Sequence, residues 1–138
     1  MTDTISQIRR SENMRRIRSK DMKPELQVRR ILTKLGYRYR LHRKSLPGHP
    51  DIVFPRWRKA IFVHGCFWHQ HQKPSCRIKR LPRSNLDYWL PKLRRNVSRD
   101  SKNQRALTKL DWHLLVIWEC ELDNLDLVTK RLEQFMAR

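Results

Sequence analysis

Apolar positions recur at Leu26, Val28, Ile31, Leu32 and Leu35, roughly the spacing of one helix face. Pro24 stands at a favoured first-turn position and Gly36 where a helix would close. Tyr37 to Leu41 alternates aromatic or apolar with basic residues, which predicts a strand. Pro47, Gly48 and Pro50 mark a turn, and Asp51-Ile52-Val53-Phe54 follows as a short buried strand. Pro55 to Arg58 turns the chain into a second buried strand, Ala60 to His64, so the two are expected to form a hairpin. From about Asn85 to Leu110 the pattern is helical, with Pro91 expected to divide or kink it. Trp112 to Trp118 reads as a third buried strand and Leu125 to Met136 as a closing amphipathic helix. The third strand follows a long helix, which suits parallel pairing with a hairpin strand. The expected fold class is α/β, a small mixed sheet covered by helices.

Two stretches lie outside this periodicity. Residues 1–11 form a polar tail with Arg9 and Arg10 and no core-forming pattern. A short helix is expected from Glu12 to Ser19, capped by Ser11, with Met14 and Ile17 on one face among Arg15, Arg16 and Arg18. Residues 12–138 then read as one domain without internal repeats. The second stretch, Gly65 to Pro82, is long and irregular, and something must order it.

Charge changes the picture most. Thirty-two Lys and Arg face thirteen Asp and Glu, a formal +19 over 138 residues. Such a field draws polyanions, with nucleic acid the first candidate, but charge does not separate DNA from RNA. No apolar run approaches the roughly 20 residues of a membrane span, and the polar start lacks a secretory h-region, so a cytosolic protein without a membrane partner is expected.

Cys66, Cys76 and Cys120 are an odd set, which argues against a disulfide framework in a reducing compartment. With an imidazole they would make a closed tetrahedral zinc site. The zinc would staple the irregular loop to the end of the third strand. His69 and His71 compete for the fourth place, and spacing does not choose between them. The plain alternative is a buried thiol at 120 and a loop residue at 66.

Asp51, at the mouth of a buried strand, suits Mg²⁺, which takes one or two carboxylates plus phosphate and water oxygens. It could equally cap the turn. If the hairpin pairs, Asp51 neighbours Val63 and His64, and the Val63 carbonyl becomes a second oxygen ligand. His64 and His69 are then candidates to activate water or protonate a leaving oxygen. Asp100 could orient a histidine, or could sit on a solvated face beside Arg99 and Lys102. Glu25 is either a dipole-favoured acid in a first helical turn or a member of the site. Phe67, Trp68 and Trp89 are suited to stacking on bases or wedging between them. Adjacent loop residues rarely both bury, so one of Phe67 and Trp68 should face outward, while Trp57, Trp112 and Trp118 read as core or rim.

These segments occur in a distinctive order. They are Ser11-Glu12-Asn13-Met14-Arg15, Leu46-Pro47-Gly48-His49-Pro50-Asp51, Phe62-Val63-His64-Gly65-Cys66-Phe67-Trp68-His69, Asn96-Val97-Ser98-Arg99-Asp100 and Val116-Ile117-Trp118-Glu119-Cys120. From about residue 11 onward the chain resembles the very-short-patch-repair endonucleases, which nick beside T:G mismatches. The resemblance implies a restriction-endonuclease-like core acting on double-stranded DNA. It implies Mg²⁺ on Asp51 and the Val63 main chain, His69 near the attacking water, and His64 with Asp100 as a supporting pair. It assigns Zn²⁺ to Cys66, His71, Cys76 and Cys120. Phe67, Trp68 and Trp89 would enter from the major groove, and Met14, Arg15 and Ile17 would approach from the minor groove. A monomer in the bacterial cytoplasm, working at the nucleoid with mismatch-repair proteins as partners, completes the expectation. Two departures stand out: valine at 63 where threonine would be expected, and a wider gap from His71 to Cys76. Two rivals remain, a nuclease on the same core that ignores mismatches and a non-catalytic zinc-stapled DNA- or RNA-binding module.

Overall fold

The computed structural model describes residues 23–76, 81 and 83–138. The tail 1–11 and the expected helix with Met14, Arg15 and Ile17 lie outside those residues. Helix α1, Pro24–Lys34, ends as its sequence predicts. Gly36 adopts φ +89, its N–H donates to Thr33 O at 3.0 Å, and the Tyr37 N–H reaches back to Leu32 O at 3.0 Å. That is a Schellman closure, which a residue with a side chain adopts at a cost.

Strands β1 (Arg40–Leu41), β2 (Ile52–Phe54), β3 (Lys59–His64) and β4 (His113–Trp118) form one mixed sheet in the order β1-β2-β3-β4. The β2–β3 hairpin is antiparallel, pairing Ile52 with Ile61. Strand β4 runs parallel to β3, from Lys59 opposite His113 to His64 opposite Trp118. The parallel crossover is made by helix α2, Leu86–Lys109, as a parallel connection requires. Helix α3, Leu125–Ala137, closes the chain.

Two expectations change. The strand expected over Tyr37 to Leu41 shrinks to Arg40–Leu41. Tyr37 and Tyr39 set their rings edge-on to Phe54, with centroids 6.3 and 6.5 Å away, and so pack on the core. Pro91 does not divide the long helix, which is continuous through it. It lies in the second turn, where the one hydrogen bond it removes belongs to Asp87; both residues are exposed, so water can serve that carbonyl.

Alternation along the strands sorts side chains to two faces. Ile52, Phe54, Ile61 and Ile117 meet Val28 and Leu32 of α1 and Val128, Leu132, Phe135 and Met136 of α3 in the main core. The buried Lys59 ammonium donates to Phe135 O, Met136 O and Arg138 O at 2.8, 2.9 and 3.0 Å, a cation satisfying the carbonyls at the end of α3. Phe62 and His64 alternate to the opposite face. Helix α2 covers it, as shown by the space at Gly48, which is bounded by both Asn103 of α2 and the Phe62 ring. Trp89, Leu93, Asn96, Asp100, Asn103 and Leu107 recur three or four apart on α2, so one stripe of that helix carries both packing and polar groups. Among the described residues no helix is long and apolar enough to cross a membrane.

Candidate active site and metal centre

Asp51 immediately precedes β2 and reaches across the hairpin. Its Oδ2 accepts the Val63 N–H at 2.7 Å. A residue in a strand presents N–H and C=O to the same side, so the Val63 carbonyl faces Asp51 as well, as the hairpin expectation required. Burial is the largest influence on Asp51 and raises its pKa; the Val63 hydrogen bond opposes this, and the Glu25 charge adds to it. A desolvated carboxylate held near a second one is eased by a cation, so the donor set fits a hard divalent ion.

Asp51, Val63, His64, His69 and Asp100 line one cavity of about 220 Å³, completed by Gly48, His49, Phe62, Asn103 and Gln104. The imidazole of His69 is 2.5 Å from Asp100, Nδ1 to Oδ2. Of the two readings of Asp100, orienting a histidine or lying on a solvated face, the geometry matches the first, and the histidine is His69. His64 lies flat on His69 instead, ring centroids 3.8 Å apart and planes 5° apart. His64 is buried, and its Nδ1 has no hydrogen-bond partner. Desolvation, followed by the neighbouring His69, pushes its pKa down to about 4, with Asp100 opposing, so His64 is neutral at physiological pH.

The next loop turns tightly. His69 N–H donates to Gly65 O and His71 N–H to Cys66 O, each at 3.1 Å, and Gln70 between them takes φ +45. This turn sends the two histidines apart. His71 joins the cysteines, its Nδ1 3.3 Å from Cys120 Sγ and 3.8 Å from Cys66 Sγ. The ligand atoms of Cys66, His71, Cys76 and Cys120 all lie within 4.8 Å of one another. Geometry thus places His71, and not His69, beside the three cysteines. Burial pushes the Cys66 and Cys120 thiols up, a cost that a coordinated cation would reverse by binding thiolate. Three sulfurs and one imidazole are compatible with zinc.

Trp118, expected as core or rim and partly buried, also links the two centres. The His71 ring stacks on it at 4.1 Å and 10°, and its edge meets His64 at 5.1 Å and 79°. The backbone beyond Trp118 is fixed by Glu121, which accepts the Trp118 N–H at 2.9 Å and pairs with Arg131 of α3. Glu119 accepts the Cys66 N–H at 3.2 Å. The only hint of Glu119 in the sequence was its place beside Cys120.

Phe67, Trp68 and Trp89 form one aromatic cluster, with centroids 5.3 to 5.6 Å apart. Trp68 is the outward member, 44 % exposed. Sequence reasoning missed its other partners. The Lys92 ammonium lies 5.4 Å from the Trp68 ring centroid, Asn96 donates to Trp68 O at 3.3 Å, and Tyr88 extends the cluster. Their helical spacing from Trp89 was the available signal. Glu25 lies on the far side of Asp51 with a further missed residue, His42, whose Nε2 is 3.2 Å from Glu25 Oε2.

A small mixed sheet with a carboxylate at a strand mouth and covering helices is the arrangement of a restriction-endonuclease-like core. The catalytic domain of the homing endonuclease I-Bth0305I shares this fold, with a TM-score of 0.61 and 21% identity over 85% of this chain and 96% of that one. The sequence profile of the DNA mismatch endonuclease Vsr family matches residues 2–75. The chain is 50% identical to the type II nicking enzyme V.XorIIP of Xanthomonas oryzae pv. oryzae, covering 99% of this chain and 98% of that protein. It is 37% identical to the DNA mismatch endonuclease Vsr of Escherichia coli K12, covering 99% and 89%. The chain belongs to the DNA mismatch endonuclease Vsr family and is a DNA endonuclease. That membership removes the non-catalytic binding module from the two rivals.

Proposed function

We propose that this enzyme nicks one strand of duplex DNA, 5′ to the thymine of a T:G mismatch left by deamination of 5-methylcytosine, with Mg²⁺ at Asp51 and Val63 O. The observation that carries the proposal is the convergence of Asp51 and the His69–Asp100 pair on one cavity. Bound there, Mg²⁺ would neutralise charge on the scissile phosphate and lower the pKa of its water.

The chain's own groups divide the remaining work. With Nδ1 committed to Asp100, His69 has Nε2 left to take a proton from the attacking water, and the carboxylate stabilises the imidazolium that forms. His64, neutral beneath it, adds no positive charge of its own to oppose that protonation. An unpaired buried acceptor costs less than an unpaired donor, so His64 keeps its hydrogen on Nε2 for a phosphate oxygen. Zn²⁺ on Cys66, His71, Cys76 and Cys120 fixes the loop, and through Trp118 its position bears on both histidines. Phe67, Trp68 and Trp89 wedge into the stack, where a mispaired step is cheaper to open. Met14, Arg15 and Ile17 of the N-terminal segment complete the grip from the other groove. The same reading takes residues 12–138 as one domain behind a basic tail, acting as a monomer in the bacterial cytoplasm, at the nucleoid, with mismatch-repair proteins as partners.

Asp51→Asn and Asp100→Asn test the assignment. Both should bind a T:G duplex as the parent does. Asp100→Asn should nick about 10²-fold or more slowly, the scale of a lost acid–base function, and Asp51→Asn should show no cleavage. Nicking at the parent rate by either variant contradicts it.

A further inference from the structure

We infer that His42 is a metal ligand, forming with Glu25 and Asp51 an imidazole-containing site that takes Mn²⁺ in preference to Mg²⁺. The inference deepens the proposed role of Asp51 as a metal carboxylate and rests on it.

Three separate elements bring these residues together. Glu25 lies in the first turn of α1, His42 follows β1, and Asp51 precedes β2. The β1–β2 register pairs Leu41 with Ile52. His42 N–H continues it by donating to Asp51 O at 3.1 Å, so His42 is the cross-strand neighbour of Asp51. The His42 Nε2 lies 3.2 Å from Glu25 Oε2, and the ligand atoms of all three residues lie within 4.8 Å of one another. His42 also holds φ +49, a conformation uncommon for a residue with a side chain and concentrated at functional sites.

Chemistry then selects the ion. Two carboxylates, Glu25 and Asp51, face each other across this edge and repel at this separation. Arg29, 3.6 Å from Glu25, offsets only part of that repulsion. A divalent cation between the carboxylates removes it and leaves the imidazole as the third donor. Mg²⁺ favours oxygen ligands and keeps its water, whereas Mn²⁺ shares its liking for carboxylates and, as a first-row transition ion, accepts an imidazole nitrogen more readily. Ligand atoms spread over as much as 4.8 Å must draw together to share one ion. The His42 side chain, 54% exposed, has room to swing in.

The alternative is that His42 is only a counter-ion for Glu25, and Mn²⁺ binding to the full, zinc-loaded chain separates the two. Affinity is read from the electron paramagnetic resonance signal of free Mn²⁺, and imidazole coordination from ¹⁴N modulation of the bound ion. The parent should show ¹⁴N modulation, which His42→Gln should abolish and His69→Gln should retain. His42→Gln should weaken Mn²⁺ about tenfold or more and leave Mg²⁺, measured by competition, within about twofold. Unchanged ¹⁴N modulation in His42→Gln, or equal weakening of both ions, overturns the inference. Should Asp51→Asn lose Mn²⁺ while His42→Gln binds it as the parent does, His42 is excluded and Asp51 keeps its role. Should Asp51→Asn bind Mn²⁺ as the parent does, both readings fail together.

Discussion

Gly48 holds the turn that delivers Asp51, and replacing it with alanine should damage stability and chemistry together. Its φ is +77, and an added Cβ would stand 2.9 Å from the Asn103 Cβ and 3.1 and 3.2 Å from two atoms of the Phe62 ring. The left-handed conformation costs a non-glycine residue roughly 1–2 kcal/mol. Crowding against a backbone-fixed Cβ and an aromatic ring adds about 1–3 kcal/mol. A loss of about 2–5 kcal/mol follows, or roughly 6–20 °C in Tm at this chain length. The strain is relieved only by moving the turn away from β3 and α2, which carries Asp51 away from Val63 N, now 2.7 Å distant, and from the His69–Asp100 pair. Urea unfolding of the zinc-loaded protein gives the stability change. Single-turnover nicking at a temperature where parent and variant are both folded gives the chemical one. Gly48→Ala within about 0.5 kcal/mol of the parent and nicking at its rate would show that this contact does not position Asp51.

Asp51→Asn should raise Tm in Mg²⁺-free buffer although it removes activity. A carboxyl whose folded pKa is raised destabilises the fold once pH exceeds its unfolded value of 3.8, and the amide keeps an oxygen for Val63 N–H; a lower Tm at pH 7 would contradict this. His64 has the opposite linkage. Its folded pKa of about 4 lies below the ordinary 6.5, so its contribution is present above about 6.5 and is lost as pH falls toward 4. From pH 7 to 5 that loss is roughly 2 kcal/mol; His64→Gln should lack it, and parallel stability curves for parent and variant would refute it. Removing zinc, by chelation or by Cys120→Ser, should lower Tm, expose the 66–76 loop to protease and slow nicking with it. Full nicking by metal-free protein would separate the metal centre from the histidines that Trp118 connects to it.

Much of this fold was legible because it rests on local periodicity. Helix α1 with its glycine stop, the β2–β3 hairpin and α3 all follow from spacing within a few residues. The parallel β4 follows from the long helix before it. Asp51 beside Val63 was legible too, since a short hairpin leaves little choice of register. The histidines were not. The partner of His69 is Asp100, thirty-one residues on, and the division between His69 and His71 turns on the left-handed Gln70. Neither a helix packing nor a single φ is encoded in spacing. His42 was missed for the same reason, as its partners Glu25 and Asp51 come from two other elements. Pro91 misled because the cost of a proline depends on where in the helix it falls and on whether water reaches the carbonyl it leaves unpaired.

The central claim, Mg²⁺-dependent nicking of the thymine strand at a T:G mismatch, is met most directly by a strand-resolved cleavage assay. Duplexes labelled differently on each strand and carrying T:G or C:G at one position are incubated with enzyme, with and without Mg²⁺. The account predicts one product, cut 5′ to the mismatched thymine, formed with Mg²⁺ only and absent from C:G. Cleavage of both strands, or equal cleavage of C:G, would contradict it.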